Sequence, residues 1–235
     1  MEESRPLYCC ITEGSGGSGS PRMTSTTALL QALGATAGPV YGRYSDKAIY
    51  RFLLEGAREG FVGLTIELAE FLVDSGVTEV AGDAVEGFNP AHDVCRFVVD
   101  GAVNLVRART GRILGNYDFV LDDDPDVCPD SLRSDVRRID LDAATLERKI
   151  GAALAYSELR GEVTLALERF GHDAFAVECL RPSTTRLMIE QFDRDVPAYE
   201  HYGQMRVSQG RYQEIIRYRQ HVLPVRDAIE RATRP

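Results

Sequence analysis

The stretch VTEVAGDAVEGFNPAHDVCRFVVDGAVNLVRARTG (residues 77–111) contains the pattern on which the fold prediction depends. Residues 77–83 predict a short β-strand. Asn89 is a residue type that caps helices, and Pro90 suits a first helical turn. Apolar residues then recur on one helical face as far as Gly111, which predicts a helix that ends there. A strand, a loop and a long helix in this order are the building unit of α/β proteins.

The same alternation of strands and helices extends in both directions along the chain. We predict further strands over residues 7–12, 113–121, 136–141 and 175–180, and helices over residues 24–33, 61–75, twice between 142 and 170, and 211–233. We expect Asp142 to cap the first of the two helices between 142 and 170. This order predicts an α/β fold of the three-layer Rossmann-like type, a mostly parallel sheet with helices on both faces. We expect one such domain over residues 1–180 and a helical C-terminal extension over residues 181–235 packed on it.

Composition limits the classes of partner. The 235 residues are 44% hydrophobic, which is enough for one sizeable core. The net charge of -9 repels phosphate groups, so we expect neither nucleic acid nor an anionic membrane as a partner. No run approaches the roughly 20 apolar residues of a membrane span, no secretory signal is recognised, and no C-x-x-C pair occurs among the five cysteines. We therefore expect a cytoplasmic protein.

Two loops at predicted strand ends carry reactive side chains. Residues 13–22 form a Gly/Ser-rich loop, which lacks the G-K-[ST] of a phosphate-binding loop and the G-x-S-x-G of a serine hydrolase. Residues 83–93 contain several side chains that can bind a metal or transfer a proton within eleven residues. They are the carboxylates of Asp83, Glu86 and Asp93 and the imidazole of His92, and Asn89 lies between them. This second loop is either a metal or acid–base cluster or a capping turn in which His92 is merely hydrogen-bonded.

Four short segments, in order along the chain, resemble those of one enzyme family. Thr12-Glu13-Gly14 stands where that family has a T-D-G-E-x-G-like loop, and Asp46 stands for the acid of an l-p-D-g segment. Residues 86–92 are similar to E-G-x-H-P-D-H, and residues 148–156 are similar to an R-K-x-x-A-L-x-x-Y helix. The ordered set, over residues 8–180, resembles the PIG-L (LmbE-like) N-acetylglucosaminyl deacetylases.

The resemblance implies a metal-dependent amide hydrolase that removes the acyl group from an N-acylated sugar or a related small molecule. In that family zinc is held by a His and an Asp of an H-P-D-D-E segment and by the last His of the third segment. His92 corresponds to that last His and would be a zinc ligand, and Asn89, in place of the family's first His, would contact the oxyanion. The substrate would be lined by Glu13, Gly14, Arg22, Asp46 and Glu86.

The chain also departs from the family pattern. It contains no H-P-D-D-E segment, and Ala91 replaces the acid of the third segment. Catalytic zinc usually has three protein ligands, so His92 alone would bind it far too weakly. Either Met1 follows a missing first strand, or the protein is a degenerate relative. The second interpretation gives the alternative function, a non-catalytic carbohydrate-binding or interaction protein without zinc, and the oligomeric state stays open in both.

The predicted C-terminal helix, residues 211–233, carries several basic residues with Tyr212 and Tyr218 between them. The basic residues in its first half are Arg211, Arg217, Arg219 and His221. They either cap the pocket and bind an anionic substrate, or form the solvated face of an amphipathic helix.

Overall fold

The computed structural model describes residues 6–16 and 19–234. The chain divides into two compact units. The first unit contains Met1–Asp46 and Asp123–Leu180, and the second unit contains Lys47–Asp122 and Arg181–Pro235.

Strands and helices alternate along most of the described chain. Their bounds are β1 (Leu7–Thr12), α1 (Met23–Ala32), β2 (Thr36–Tyr44), α2 (Asp46–Glu55), α3 (Arg58–Asp74), β3 (Glu79–Asp83), α4 (Pro90–Thr110), β4 (Gly115–Phe119), β5 (Arg137–Asp140), α5 (Ala143–Ala155), α6 (Arg160–Phe170), β6 (Val177–Pro182), α7 (Thr185–Phe192), α8 (Ala198–Ser208), a π-helical turn (Tyr218–Val222) and α9 (Leu223–Thr233). Short 3₁₀ turns lie at Asp130–Leu132 and Asp173–Ala176. The α/β class predicted from the sequence is confirmed.

The first unit contains a parallel pair of strands joined by a helix. β1 pairs with β2 in parallel, with Leu7 opposite Thr36, and α1 connects them. In the same unit β5 pairs antiparallel with the start of β6. The predicted cap of α5 is confirmed, because Asp142 Oδ1 accepts a hydrogen bond from the Thr145 backbone N–H at 2.7 Å.

The second unit contains another parallel pair with a helix between its strands. β3 and β4 pair in parallel from Glu79 opposite Gly115 to Asp83 opposite Phe119. The connecting helix α4 begins after Asn89 and ends before Gly111, which has the left-handed conformation (φ 72°) that favours glycine. Both predicted ends of this helix are confirmed.

Three helices pack closely in the second unit. α4 lies against α3 and α9, and apolar side chains such as Phe61, Val106 and Ile229 are almost completely buried between these elements. A Cβ placed on Gly101 of α4 would stand 2.4 Å from Ile229 Cγ2 and 2.9 Å from Thr65 Cγ2. The absence of a side chain at position 101 therefore permits this close approach of the helices.

Strand pairing is more mixed than the sequence predicts. In the second unit β4 pairs antiparallel with the end of β6, where Asp118 lies opposite Arg181. These two side chains form an ion pair, with Nη2 2.8 Å from Oδ1, and they are 7% and 0% exposed for Arg181 and Asp118 respectively. Thr184 donates to Asp118 Oδ2 through its backbone N–H and its hydroxyl, at 2.6 and 2.7 Å. The antiparallel pairing depends on contacts between distant segments, which local patterns do not reveal.

The prediction of one helix over residues 211–233 is wrong in its first part. Residues 211–217 are not helical, and the helical structure begins with the π-helical turn at Tyr218–Val222 and continues as α9.

Among the described residues, no helix has the length and apolar composition that crossing a bilayer requires.

Candidate functional site

The candidate site is the loop between β3 and α4, which lies at the carboxyl end of a parallel strand in the second unit. Ligands of α/β proteins bind beyond this end of the strands. The loop brings Asp83, the last residue of β3, to His92 in the first turn of α4. Asp83 Oδ2 lies 2.5 Å from His92 Nδ1, and the side chains are 26% and 43% exposed. We call these two residues the Asp83–His92 pair.

The Asp83–His92 pair fixes the orientation of the imidazole. A carboxylate can only accept a hydrogen bond, so Nδ1 of His92 carries the proton in this contact. In the neutral ring Nε2 is then an acceptor. A carboxylate that orients an imidazole in this way is a common arrangement in sites that bind or transfer protons.

Asn89 caps α4 and keeps a donor group available. Its Oδ1 accepts from the Ala91 backbone N–H at 2.9 Å and from the Tyr50 hydroxyl at 3.2 Å. Because the Ala91 N–H can only donate, the oxygen of the amide must face it, and Nδ2 faces elsewhere. Nδ2 makes no hydrogen bond within the part of the chain that the structure describes. The cap therefore leaves two N–H groups for another molecule.

Asp93, in the first turn of α4, is a buried carboxyl group that contacts the loop. Its Oδ1 accepts from the backbone N–H groups of Glu86 and Gly87 at 3.1 and 3.2 Å. Its Oδ2 and the hydroxyl of Tyr199 are both buried, and neither has a hydrogen-bond partner among the described residues. Burial raises the pKa of Asp93 to about 7 and also raises the pKa of Tyr199. Asp93 thus ties the loop to the start of α4.

Glu86 is held by the segment that follows β4. Its carboxylate accepts from the Leu121 N–H at 2.9 Å and from the Asp122 N–H at 3.3 Å. Burial raises the pKa of Glu86, although these two hydrogen bonds oppose the shift. Glu86 therefore ties the loop to the segment that follows β4.

The other residues predicted to line the substrate lie in the first unit. The Glu13 carbonyl accepts from the Arg22 backbone N–H at 2.8 Å, which closes the Gly/Ser-rich loop. Gly14 is next to the stem of Arg22, because a Cβ built on Gly14 would lie 3.3 Å from Arg22 Cδ. The structure thus brings these three residues together at the base of the loop.

Asp46 also contacts the Gly/Ser-rich loop. Its Oδ2 accepts from the Gly16 backbone N–H at 2.6 Å and lies 3.5 Å from the Ser15 hydroxyl. The carboxylate therefore occupies this N–H group, which an anion bound there would otherwise use.

The side chains of the described residues do not provide the ligands of a catalytic zinc ion. Such an ion needs three protein ligands of suitable type. Among residues 6–16 and 19–234, no group of three or more His, Cys, Asp and Glu side chains could hold a metal ion.

Two tyrosines of this region were not expected from the sequence. Tyr50 of α2 donates to Asn89, and the backbone N–H of Tyr199 donates to the Gly87 carbonyl at 3.0 Å. Both come from segments far from the loop in sequence, and neither is part of a recognisable motif.

Comparisons with known proteins give no match. The sequence matches no protein-family model, and no curated protein and no solved structure matches it. The geometry of the loop therefore carries the functional argument.

Proposed function

We propose that this protein binds a small, uncharged, amide-bearing molecule of the N-acylated amino sugar class at the loop between β3 and α4, without hydrolysing it. The observation that carries the proposal is the 2.5 Å contact in the Asp83–His92 pair, which orients a partly exposed imidazole. The ligand class comes from the resemblance of residues 86–92 to the PIG-L deacetylases.

Two side chains of the loop provide complementary groups for such a ligand. Asn89 offers Nδ2 as a donor, which suits the carbonyl oxygen of an acetamide group. His92 follows three residues later, in the first turn of the helix that Asn89 caps. A sugar bound there would place its acyl group at Asn89 and a hydroxyl group at His92.

The donor set supports the proposal of binding without hydrolysis. In a zinc hydrolase the metal polarises the amide carbonyl and lowers the pKa of the attacking water. The described residues do not supply the ligands for that ion, and an amide is resistant to water that no metal or strong base activates. Asn89 can stabilise an oxyanion but cannot transfer a proton as a histidine can.

The proposal includes descent from the PIG-L family and its three-layer Rossmann-like architecture with helices on both faces. Two parallel strand pairs with a helix between them, β1-α1-β2 and β3-α4-β4, support this architecture. On the PIG-L resemblance we also propose that Glu86 lines the edge of the ligand site. The hydrogen bonds that Glu86 accepts from two backbone N–H groups would hold its side chain there.

A turnover experiment separates binding from catalysis. The purified protein is incubated with N-acetylglucosamine, with added zinc and with a chelator, and released acetate and bound zinc are measured. We expect no acetate above the protein-free control and no stoichiometric zinc. Acetate release that requires zinc and is lost in His92→Gln would show that the protein is a metal-dependent deacetylase instead.

A further inference from the structure

The second unit has a recess lined by none of the residues of the β3–α4 loop. It has a volume of about 370 Å³ and lies where the non-helical residues 211–217 meet the π-helical turn. We call it the Glu214 groove. π-helical turns are rare in proteins, and those that occur are often found at functional sites. This recess is therefore a candidate ligand site.

Three half-buried apolar side chains form one part of the Glu214 groove. They are Leu54 of α2, Val207 of α8 and Ile215 of the non-helical segment. Their partial exposure leaves apolar surface that an aliphatic group of a ligand can cover, and such contact is favourable because it removes this surface from water.

The charges of the Glu214 groove are unbalanced. Arg217 Nη1 lies 3.5 Å from Glu200 Oε2, so the one guanidinium among the lining residues already has a carboxylate partner. Glu214 is exposed and forms no hydrogen bond or ion pair with any residue that the structure describes. The charge without a partner in the groove is therefore negative, which favours a cationic ligand.

His221 is fixed as a neutral donor in the same groove. Its Nδ1 accepts from the Arg217 backbone N–H at 2.8 Å, and its own backbone N–H donates to the Arg217 carbonyl at 2.8 Å. Nδ1 therefore carries no proton, and the proton of the neutral ring is on Nε2. Burial lowers the pKa of His221, so the ring does not repel a cation at neutral pH.

We propose that the Glu214 groove binds a small aliphatic primary amine, whose ammonium group pairs with Glu214 and whose apolar chain lies against Leu54, Val207 and Ile215. Amino-acid amides and free amino acids share this chemistry. They differ in the carboxylate, which only the free amino acid would bring close to Glu214 and Glu200.

Calorimetric titration tests this site with L-leucinamide as the probe and N-acetyl-L-leucinamide as its uncharged counterpart. We expect saturable binding of L-leucinamide, and binding up to about fivefold weaker in Glu214→Gln, because an exposed ion pair contributes up to about that factor. Glu59→Gln is the matched control, since Glu59 is also exposed and unpaired among the described residues but does not line the groove.

Several outcomes would overturn the proposal. One is no binding of L-leucinamide up to about 10 mM. Another is that N-acetyl-L-leucinamide binds as tightly as L-leucinamide, and a third is that Glu214→Gln binds L-leucinamide as tightly as the unchanged protein does. L-Leucine is titrated as well, and we expect it to bind more weakly than its amide because of the two carboxylates. Since the His92→Gln variant is expected to bind L-leucinamide normally, failure here is distinguishable from failure of the proposed sugar site.

Discussion

Asp93 Oδ1 accepts a hydrogen bond from the backbone N–H of Gly87 at 3.2 Å, whereas Asp93 Oδ2 is buried without a partner among the described residues. The carboxyl group therefore holds the loop in place through one oxygen only. Burial opposes its ionisation and raises its pKa from 3.8 to about 7. Because the folded state binds this proton more tightly than the unfolded state does, stability must depend on pH.

The first prediction concerns this pH dependence. The stabilising contribution of protonated Asp93 is fully present below about pH 4 and is lost as the pH rises to about 7. Its size is on the order of 4 kcal/mol, since each pKa unit corresponds to about 1.4 kcal/mol. Asp93→Asn should flatten the dependence of the unfolding free energy on pH between these limits, as measured by urea denaturation at several pH values. Identical slopes for both proteins would contradict this explanation.

A second prediction separates the two roles of Asn89. Asn89→Ala removes the cap of α4 and should lower the unfolding free energy by about 1 kcal/mol. Asn89→Asp keeps an oxygen for the Ala91 N–H, so stability should change little, but it removes the Nδ2 donor. We therefore expect Asn89→Asp to weaken N-acetylglucosamine binding about tenfold without loss of stability. Unchanged affinity in this variant would exclude Asn89 as a ligand contact.

A third prediction tests the close packing of α4. Gly101→Ala places a Cβ against Ile229 and Thr65 and should destabilise the protein by about 1–3 kcal/mol. Gly151→Ala is the matched control in α5, where a Cβ meets no atom within 4 Å. The control should stabilise the protein by about 0.5–1 kcal/mol, because alanine loses less backbone entropy than glycine. Similar effects of both substitutions on thermal unfolding would show that the packing at position 101 is looser than described.

A fourth prediction concerns the buried ion pair of Asp118 and Arg181. Arg181→Met leaves the Asp118 carboxylate buried without its cation and should cost about 3–5 kcal/mol of unfolding free energy. Arg186 pairs with Glu190 on the surface and is 91% exposed. Arg186→Met should therefore change stability by less than about 0.5 kcal/mol in the same denaturation experiment. A loss for Arg181→Met no larger than this would mean that water reaches Asp118.

Features that depend on neighbouring residues could be predicted from the sequence. The caps at Asn89 and Asp142 and the stop at Gly111 follow from residue types at single positions, and these predictions are confirmed. The grouping of Asp83 with His92 was also expected, because one ends a strand and the other begins the next helix. His92 is hydrogen-bonded to Asp83, a contact that both interpretations of this loop allow.

Features that depend on distant segments could not be predicted. The antiparallel pairing of β4 with β6 joins Asp118 to Arg181, which is 63 residues away. The contact of Tyr50 with Asn89 spans 39 residues. Residues 211–217 were predicted to be the first part of a helix, but they are irregular and lead into a π-helical turn instead. Local periodicity does not report such long-range contacts.

The most direct test of the proposed sugar site is calorimetric titration of N-acetylglucosamine into the unchanged protein, His92→Gln and Asp83→Asn. We predict saturable binding by the unchanged protein and about tenfold weaker binding by His92→Gln, which corresponds to the loss of one hydrogen-bonding group. Asp83→Asn should have a smaller effect, since its amide oxygen can still accept from Nδ1. Equal affinity of all three proteins, or no binding by the unchanged protein, would contradict the proposal that the Asp83–His92 pair is part of a ligand site.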